Sequence, residues 1–384
     1  MSRLLGGLSA AQFLSEYWQQ RPLLIEQAWP GAGGWLQAED LIELAGEEGI
    51  EARLILEQGA TPWELRHGPF PAALFKKLPA SHWTLLVQAV DHYDLQLAEL
   101  LEELRFLPSW RIDDIMISYA PPYGSVGPHD DRYDVFLLQL HGHRRWQVGP
   151  IVDADHPRLP HPRLRLLQNM PVDFEATLAP GDLLYLPPGA AHHGIAEDDC
   201  LTLSIGFRAP NLAHLLEHIV DAVLESQPGP VLYSDARRQP SPHPGQLGKS
   251  DIDSLRRQVL ALLDDKQRWQ EVLARTLSEA KYEDYLPQGE SYEPEALRAY
   301  LQNGGQLLRD PASRFIYTED EEQHIQAWVN GELRPDADPE LFVRIADCRQ
   351  LRCPAGDGLT TEQLAFLCAW IEEGLLLPGD EEEA

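Results

Sequence analysis

The stretch GSVGPHDDRYDVFLLQLHGHRRW, residues 124–146, decides the fold and much of the chemistry expected of this chain. It begins with a glycine- and proline-containing turn, continues into an apolar run suited to a buried strand, and ends near two arginines. Within it His129 and Asp131 are separated by one residue, and on a strand this spacing places both side chains on the same face. Together they supply two ligands of a metal site built from two histidines and one carboxylate.

A second stretch, GDLLYLPPGAAH at residues 181–192, offers the third ligand. It resembles the second cupin motif, G-x5-P-x-G-x2-H, in which a strand and a Pro-Gly turn bring a histidine back to the mouth of a barrel. The motif spacing selects His192 over the adjacent His193. His141 and His143 share a strand face, but their place at its far end favours a turn. The sequence therefore predicts a metal site formed by His129, Asp131 and His192, the ligand set of non-heme Fe(II) oxygenases.

Three protein ligands leave three octahedral positions open. In 2-oxoglutarate oxygenases the keto acid takes two of these positions and dioxygen takes the third, so the distal carboxylate needs a cationic anchor. Arg144 and Arg145 follow the apolar strand, and an arginine can hold a planar carboxylate through two hydrogen bonds. We expect one of the two to point inward and the other to form an outward ion pair, and their positions leave open which does which.

The strand at residues 111–119 has a further alternating pattern. Asp114, Met116 and Ser118 share one face, and Ala120 continues the same parity. If this face lines the pocket, the Asp114 carboxylate is a candidate partner for a cationic substrate side chain. The alternative is that Asp113 or Asp114 merely begins the strand.

The remaining parts of the chain differ in the secondary structure that their sequences predict. Short strands between residues 110 and 207, interrupted by a loop at 153–171, indicate an antiparallel sandwich or barrel. Amphipathic helices follow near 211–226, 252–264 and 267–280, and they pack either on a second copy of the chain or on the β domain. The last part has helices and short strands that resemble a winged helix, but no helix carries a basic face, which favours a protein-binding role.

Composition narrows the classes of function. The 384 residues suit two or three domains, and 61 acidic against 31 basic residues give a net charge of −30. This charge argues against a protein that wraps nucleic acid and favours attraction to a basic partner. The four cysteines form no CxxC pair, and we expect neither a secretory signal nor a membrane span. A cytoplasmic protein is the resulting expectation.

The sequence resembles the bacterial ribosomal oxygenases of the JmjC class. The matching segments are FLSEYWQQRPLLI (13–25), WRIDDIMISY (110–119), VGPHDDRYDVFLLQ (126–139), GHRRWQVG (142–149), GDLLYLPPGAAHHG (181–194) and SIGFRAPN (204–211). The resemblance implies an α+β chain: a double-stranded β-helix of the JmjC/cupin type at residues 1–211, a helical dimerisation segment at 212–285 and a winged-helix-like domain at 286–384.

The same resemblance implies an activity and its participants. It implies Fe(II) at the predicted triad, 2-oxoglutarate and O2 as co-substrates, and hydroxylation of an arginine in a basic large-subunit ribosomal protein, number sixteen. Direct nucleic-acid binding is not expected, whereas a homodimer is. An alternative is a JmjC hydroxylase or demethylase acting on another residue, and an alternative of another class is a non-catalytic metal-bound cupin module. The resemblance also assigns residues: Arg144 with Ser118 or Ala120 to 2-oxoglutarate, and Asp114, Met116 and Ser204 to the substrate.

Overall fold

Antiparallel strands dominate the first half of the chain, in agreement with the sequence pattern. A computed structural model describes residues 3–282, 289–320, 322–352 and 358–379. The N-terminal part mixes short helices with the strands that extend the main sheet. Its elements are α1 (Ala10–Glu16), β1 (Leu23–Ile25), α2 (Ala38–Leu44), β2 (Ala52–Gln58), β3 (Pro62–His67), α3 (Ala72–Phe75), β4 (Trp83–Val87) and α4 (Leu95–Leu100).

The predicted short strands of the central region form two sheets. The strands are β5 (Ile112–Ala120), β6 (Val135–His141), β7 (Arg144–Ile151), β8 (Phe174–Leu178), β9 (Leu183–Leu186), β10 (Ala190–Ala196) and β11 (Cys200–Phe207). The larger sheet has the order β1-β9-β6-β11-β5-β4-β2-β3, and the smaller one has the order β10-β7-β8. All of the pairings are antiparallel.

Strand β6 lies at the centre of the packing and is buried on both faces. Phe136 and Leu138 join a core that also contains Phe13 of α1, on the outer side of the large sheet. Val135 and Leu137, which point the opposite way, pack with residues of the small sheet such as Val148. A strand buried on both sides requires an almost continuous apolar sequence, which explains the run VFLLQL. The second core also shows that the two sheets face each other, as expected for a double-stranded β-helix.

Three helices follow the last strand of the large sheet: α5 (Leu212–Ser226), α6 (Lys249–Leu262) and α7 (Lys266–Ser278). Asn211 and Asp265 cap α5 and α7 by accepting hydrogen bonds from backbone N–H groups of the first turn. Ile219 and Val223 of α5 pack against Val272 of α7. Helix α6 buries no residue fully, although its sequence is amphipathic.

The C-terminal part has its own core around Phe342 and Trp370. Its elements are α8 (Pro294–Gln302), β12 (Gln306–Arg309), β13 (Phe315–Glu319), β14 (Ile325–Val329), β15 (Glu332–Leu333), α9 (Pro339–Asp347), β16 (Gln350–Arg352), α10 (Thr361–Glu372) and β17 (Leu376–Pro378). Two three-stranded sheets, β16-β12-β17 and β13-β14-β15, pack with these helices. The mixed helix and sheet content agrees with the α+β class.

The domain limits stay a prediction. The expected limit at 285/286 lies outside the described residues. Helix α7, which was assigned to the dimerisation segment, contacts both α5 and the strands β13 and β14. Within the described residues, no helix has an apolar stretch long enough to span a membrane.

Candidate active site

The three predicted metal ligands come together between the two sheets. The ligand atoms of His129, Asp131 and His192 all lie within 4.8 Å of one another. The expectation that His129 and Asp131 sit on a regular strand was wrong, because they lie in the loop between β5 and β6. Gly127, with a φ of +85°, and Pro128 interrupt the extended backbone there. An isolated antiparallel bridge, with N···O distances of 3.0 and 2.8 Å, instead holds His129 opposite His192.

Hydrogen bonds orient both imidazoles for metal binding. Nδ1 of His129 lies 2.8 Å from the Gly127 carbonyl oxygen, and Nδ1 of His192 lies 2.8 Å from the Ala190 carbonyl oxygen. A carbonyl oxygen only accepts, so both Nδ1 atoms carry the hydrogen and both Nε2 lone pairs are free. These Nε2 atoms lie 3.9 and 3.6 Å from Oδ2 of Asp131. The donor set therefore fits a divalent metal such as Fe(II), bound on one face.

Burial keeps one of these ligands neutral. Burial, followed by the neighbouring His129, lowers the pKa of His192 to about 4. A neutral imidazole is the form that binds a metal ion, so the buried position favours coordination at neutral pH.

The turn before β10 explains the cupin-like motif in physical terms. Gly189 has a φ of +81°, and a Cβ there would lie 3.0 Å from Cγ2 of Ile151, so glycine suits both the conformation and the space. Its N–H donates a 2.7 Å hydrogen bond to the carbonyl of Asp131. The turn thus ties the loop that carries two ligands to the strand that carries the third.

His193, the competing ligand, belongs to the other face of the small sheet. It lies opposite Gln147 in β7, whereas His192 lies opposite Val148 of the inner core. Burial, the nearby His129 and the charges of Arg145 and Arg144 lower the pKa of His193 to about 4. Its Nε2 is buried without a hydrogen-bond partner among the described residues.

The structure places the two arginines differently, a choice that their positions along the strand left open and that the resemblance gave to Arg144. Arg144 is 3% exposed and lines the cavity that contains the metal ligands. Within the described parts of the chain, its Nε and Nη2 have no hydrogen-bond partner. Arg145 points outward and forms ion pairs of 3.3 Å with Glu175 and 3.9 Å with Glu197. A buried guanidinium edge without a partner is suited to an incoming carboxylate.

Most of the other predicted site residues line this cavity, which has a volume of about 550 Å³. Ser118 faces it from β5, and its Oγ donates a 3.3 Å hydrogen bond to the carbonyl of Thr202. Met116 and Ser204 face it as direct neighbours across the pairing of β5 and β11. Ala120 is buried with Ala196 and Cys200 instead of lining the cavity, so only part of the predicted alternation reaches the site.

Asp114 also faces the cavity, but its carboxylate is already paired. Nζ of Lys281 lies 2.6 Å from Oδ2, and Nε2 of Gln88 lies 2.9 Å from Oδ1. Burial raises the pKa of Asp114, although the Lys281 ammonium opposes this shift. Asp114 is 1% exposed and lies inside the cavity, two residues after β5 begins.

Sequence reasoning missed several groups at the cavity. Tyr133 lines it two residues after Asp131, so the alternation used for the metal ligands could have revealed it. The charge of Asp131, together with burial, raises the pKa of the Tyr133 hydroxyl, which therefore stays protonated at neutral pH. Lys281 and Gln88 gave no comparable signal, because each is distant in sequence from its partner Asp114.

The loop at 153–171, predicted as an insertion, forms part of the cavity wall. Residues 163–166 line the cavity. Nη1 of Arg158 lies 2.6 Å from Oδ1 of Asp130, whose side chain is 6% exposed and lies between two metal ligands in sequence. The N–H of Leu167 donates a 2.8 Å hydrogen bond to the carbonyl of Pro128. The loop therefore supports the metal-binding segment.

Comparison with known proteins agrees with this architecture. A family model described as a JmjC domain matches residues 99–215, and one described as a ROXA-like winged helix matches residues 261–377. A ribosomal protein uL16 3-hydroxylase of Escherichia coli is 35% identical, with 96% of this chain and 97% of that protein covered. A probable ribosomal oxygenase of Haemophilus influenzae is 32% identical, with 95% of each chain covered.

A solved structure extends the agreement to the whole chain. The ribosomal oxygenase YcfD from Escherichia coli, in complex with cobalt and 2-oxoglutarate, has a TM-score of 0.81 and 31% identity, and the match covers 97% of this chain and 98% of that one. The fold and site thus define an oxygenase of the JmjC class. This chain belongs to the ribosomal oxygenase family. Family membership confirms the prediction of an enzyme over a non-catalytic binding module.

Proposed function

We propose that this chain is an Fe(II)- and 2-oxoglutarate-dependent dioxygenase that hydroxylates an arginine side chain of ribosomal protein uL16. The proposal rests on one observation: the triad His129, Asp131 and His192 shares a cavity with Arg144, whose buried Nε and Nη2 have no hydrogen-bond partner among the described residues. A relative named as a uL16 3-hydroxylase supports the substrate, and a relative with bound cobalt and 2-oxoglutarate supports the co-substrate.

The residues of the chain divide the work of such a reaction. When bound, Fe(II) and 2-oxoglutarate would supply the oxidising chemistry, in which one atom of O2 enters the substrate and the other enters succinate, while 2-oxoglutarate loses CO2. The two histidines and Asp131 would hold the metal on one face and leave the other positions free. Arg144 would orient 2-oxoglutarate by binding its distal carboxylate, with Ser118 as the nearer candidate for a second contact, since Ala120 does not line the cavity.

The substrate subsite lies on the strands β5 and β11. Asp114 would attract the guanidinium, and Met116 would pack against the apolar part of the side chain. Ser204, the direct neighbour of Met116, offers a hydroxyl to the same ligand. The net charge of −30 favours the approach of a basic ribosomal protein and disfavours direct binding to RNA.

Hydroxylation of a neutral residue, such as histidine or asparagine, is a second candidate. It is favoured by the pairing of Asp114 with Lys281, which already neutralises the carboxylate that a guanidinium would need. A neutral side chain would enter such a pocket without displacing an ion.

Mass spectrometry tests both candidates. The wild-type protein is incubated with Fe(II), 2-oxoglutarate and purified uL16, and we expect a gain of 16 Da on an arginine-containing peptide. A gain on histidine or asparagine only would replace the first candidate by the second. The absence of any hydroxylated product in the presence of Fe(II) and 2-oxoglutarate would contradict both candidate functions. The variant Arg144→Met should lose turnover, and the matched variant Arg145→Met should retain it.

We also propose that the chain is a homodimer formed through its helical segment. This segment exposes many large apolar side chains, which in a monomer would face water. They are Leu212, Leu216, Leu224, Val231, Leu232, Tyr233, Leu247, Ile252, Leu255, Val259 and Leu260. Light scattering should give twice the mass of the chain, and Val259→Asp should shift this mass toward the monomer. A monomeric wild-type protein at micromolar concentration would contradict the proposal.

A further inference from the structure

The ammonium group of Lys281 stands where the cation of a substrate is expected. Its Nζ lies 2.6 Å from Oδ2 of Asp114 and 3.0 Å from Oδ2 of Asp113. Lys281 and both aspartates line the cavity that contains the metal ligands. Lys281 follows α7 and is more than 160 residues from both aspartates in sequence, so only folding of the chain brings them together.

The two carboxylates, Asp113 and Asp114, are already neutralised by two cations of the chain without any ligand. Nη2 of Arg314 lies 2.8 Å from Oδ1 of Asp113, so two cations already face the two carboxylates. An incoming guanidinium would be a third cation beside the buried Asp114 and the partly buried Asp113, and crowding three cations onto two carboxylates is unfavourable in a low-dielectric cavity. Arg314 does not line the cavity, whereas Lys281 does and its side chain is 22% exposed. Lys281 is therefore the cation that can leave toward solvent.

We propose that Lys281 determines which side chains the pocket accepts, by competing with the substrate cation for Asp114. This inference rests on the proposed function, because it takes a cationic side chain as the ligand of this cavity. In the free enzyme the lysine neutralises the carboxylate. A substrate cation binds by displacing it, and Lys281 then returns to water.

Because of this competition, a substrate cation binds only if it interacts with Asp114 more favourably than the ammonium group of Lys281 does. A substrate lysine presents the same ammonium group as Lys281 and must also lose its translational freedom, so the exchange gains nothing. A guanidinium can donate two parallel hydrogen bonds to one carboxylate, which an ammonium cannot do in a planar geometry. A substrate arginine can therefore displace Lys281 from Asp114, whereas a substrate lysine cannot.

Binding of three small ligands tests this inference without any need for turnover. The probes are the N-acetyl amides of arginine, lysine and citrulline, titrated calorimetrically into the Fe(II)- and 2-oxoglutarate-loaded protein without oxygen. In Lys281→Met we expect arginine and lysine amides to bind about tenfold more tightly, equivalent to about 1.4 kcal/mol, and citrulline amide to bind no more tightly. In Lys281→Arg the internal competitor is itself bidentate, so arginine amide should bind more weakly than to the wild type.

Controls separate this effect from general electrostatics and from misfolding. Lys249→Met removes one positive charge at the start of α6, away from the cavity, and should leave all three affinities unchanged. Arginine binding that is unchanged or weaker in Lys281→Met overturns the inference. If Lys281→Met does not fold, arginine binding to Lys281→Arg that is as tight as to the wild type overturns it.

The same experiment distinguishes failure of the inference from failure of the proposed function. A wild-type protein that hydroxylates arginine, combined with unchanged binding in Lys281→Met, leaves the function in place and removes the inference. Tighter cation binding in Lys281→Met, combined with a wild type that hydroxylates no arginine, supports the competition and removes the proposed reaction.

Discussion

Replacement of Arg144 should selectively remove the recognition of the distal carboxylate of 2-oxoglutarate. The guanidinium is buried, and its Nε and Nη2 form one edge that matches the spacing of two carboxylate oxygens. Hydrogen bonds to charged groups contribute about 1.5–3 kcal/mol each. Two such bonds sum to about 3–6 kcal/mol, which corresponds to a loss of affinity of about 100- to 20,000-fold in Arg144→Met. Arg144→Lys keeps the charge without the paired geometry and should lose about tenfold.

A comparison of two keto acids isolates this interaction. Calorimetric titration of the Fe(II)-loaded protein without oxygen gives the affinities for 2-oxoglutarate and for pyruvate, which lacks the distal carboxylate. Arg144→Met should weaken only the binding of 2-oxoglutarate. The matched variant Arg145→Met should change neither affinity by more than about twofold, since Arg145 points away from the cavity and pairs with Glu175 and Glu197.

Two results would refute this assignment of Arg144. One is binding of 2-oxoglutarate to Arg144→Met within about threefold of the wild type. The other is an equal loss of pyruvate affinity, which would place the defect at the metal and not at the distal carboxylate.

Three further predictions concern the metal site and its support. His192→Ala should abolish Fe(II) binding measured by calorimetry, whereas His193→Ala should retain it, and the opposite pattern would contradict the ligand assignment. Arg158→Gln leaves Asp130 buried without its main partner and should weaken Fe(II) binding about tenfold; equal affinities in Arg158→Gln and the control Arg163→Gln would argue against support by this ion pair. Because the pKa of His193 is lowered to about 4, the unfolded state takes up its proton first as the pH falls. The stabilisation by neutral His193 is thus fully present above pH 6.5 and is lost toward pH 4. Between these pH values the free energy of unfolding, measured with urea, should fall less in His193→Gln than in the wild type, by at most about 3 kcal/mol.

The metal ligands were predictable because their pattern is local. Two short segments define the positions of His129, Asp131 and His192, and the turn at Gly189 requires a residue that tolerates positive φ. The strands of the central region were equally readable, because burial on both sides of β6 demands a continuous apolar run. The geometry of the histidine–aspartate pair was not readable, since its backbone conformation depends on the bridge to β10.

The neutralisation of Asp114 could not be predicted from the sequence. Parity along β5 indicated that Asp114, Met116 and Ser118 share a face, and all three line the cavity. Nothing in that parity indicates a lysine 167 residues away in the chain. Long-range ion pairs of this kind depend on how the helical segment packs against the β domain, and no local pattern encodes this packing.

The sequence by itself determined the class of fold and predicted the three metal ligands and an arginine anchor, because spacing and alternation fix which side chains share a face. Spacing alone left the roles of Arg144 and Arg145 open, and the resemblance assigned Arg144 to 2-oxoglutarate. The tertiary structure gives the physical difference: Nε and Nη2 of Arg144 are buried with no hydrogen-bond partner in the described part of the chain, whereas Arg145 forms ion pairs with Glu175 and Glu197. It also decided that Lys281 occupies the acidic subsite. The physical reason is the same in both cases: the role of a charged side chain depends on the charges that surround it after folding, and these come from distant parts of the chain.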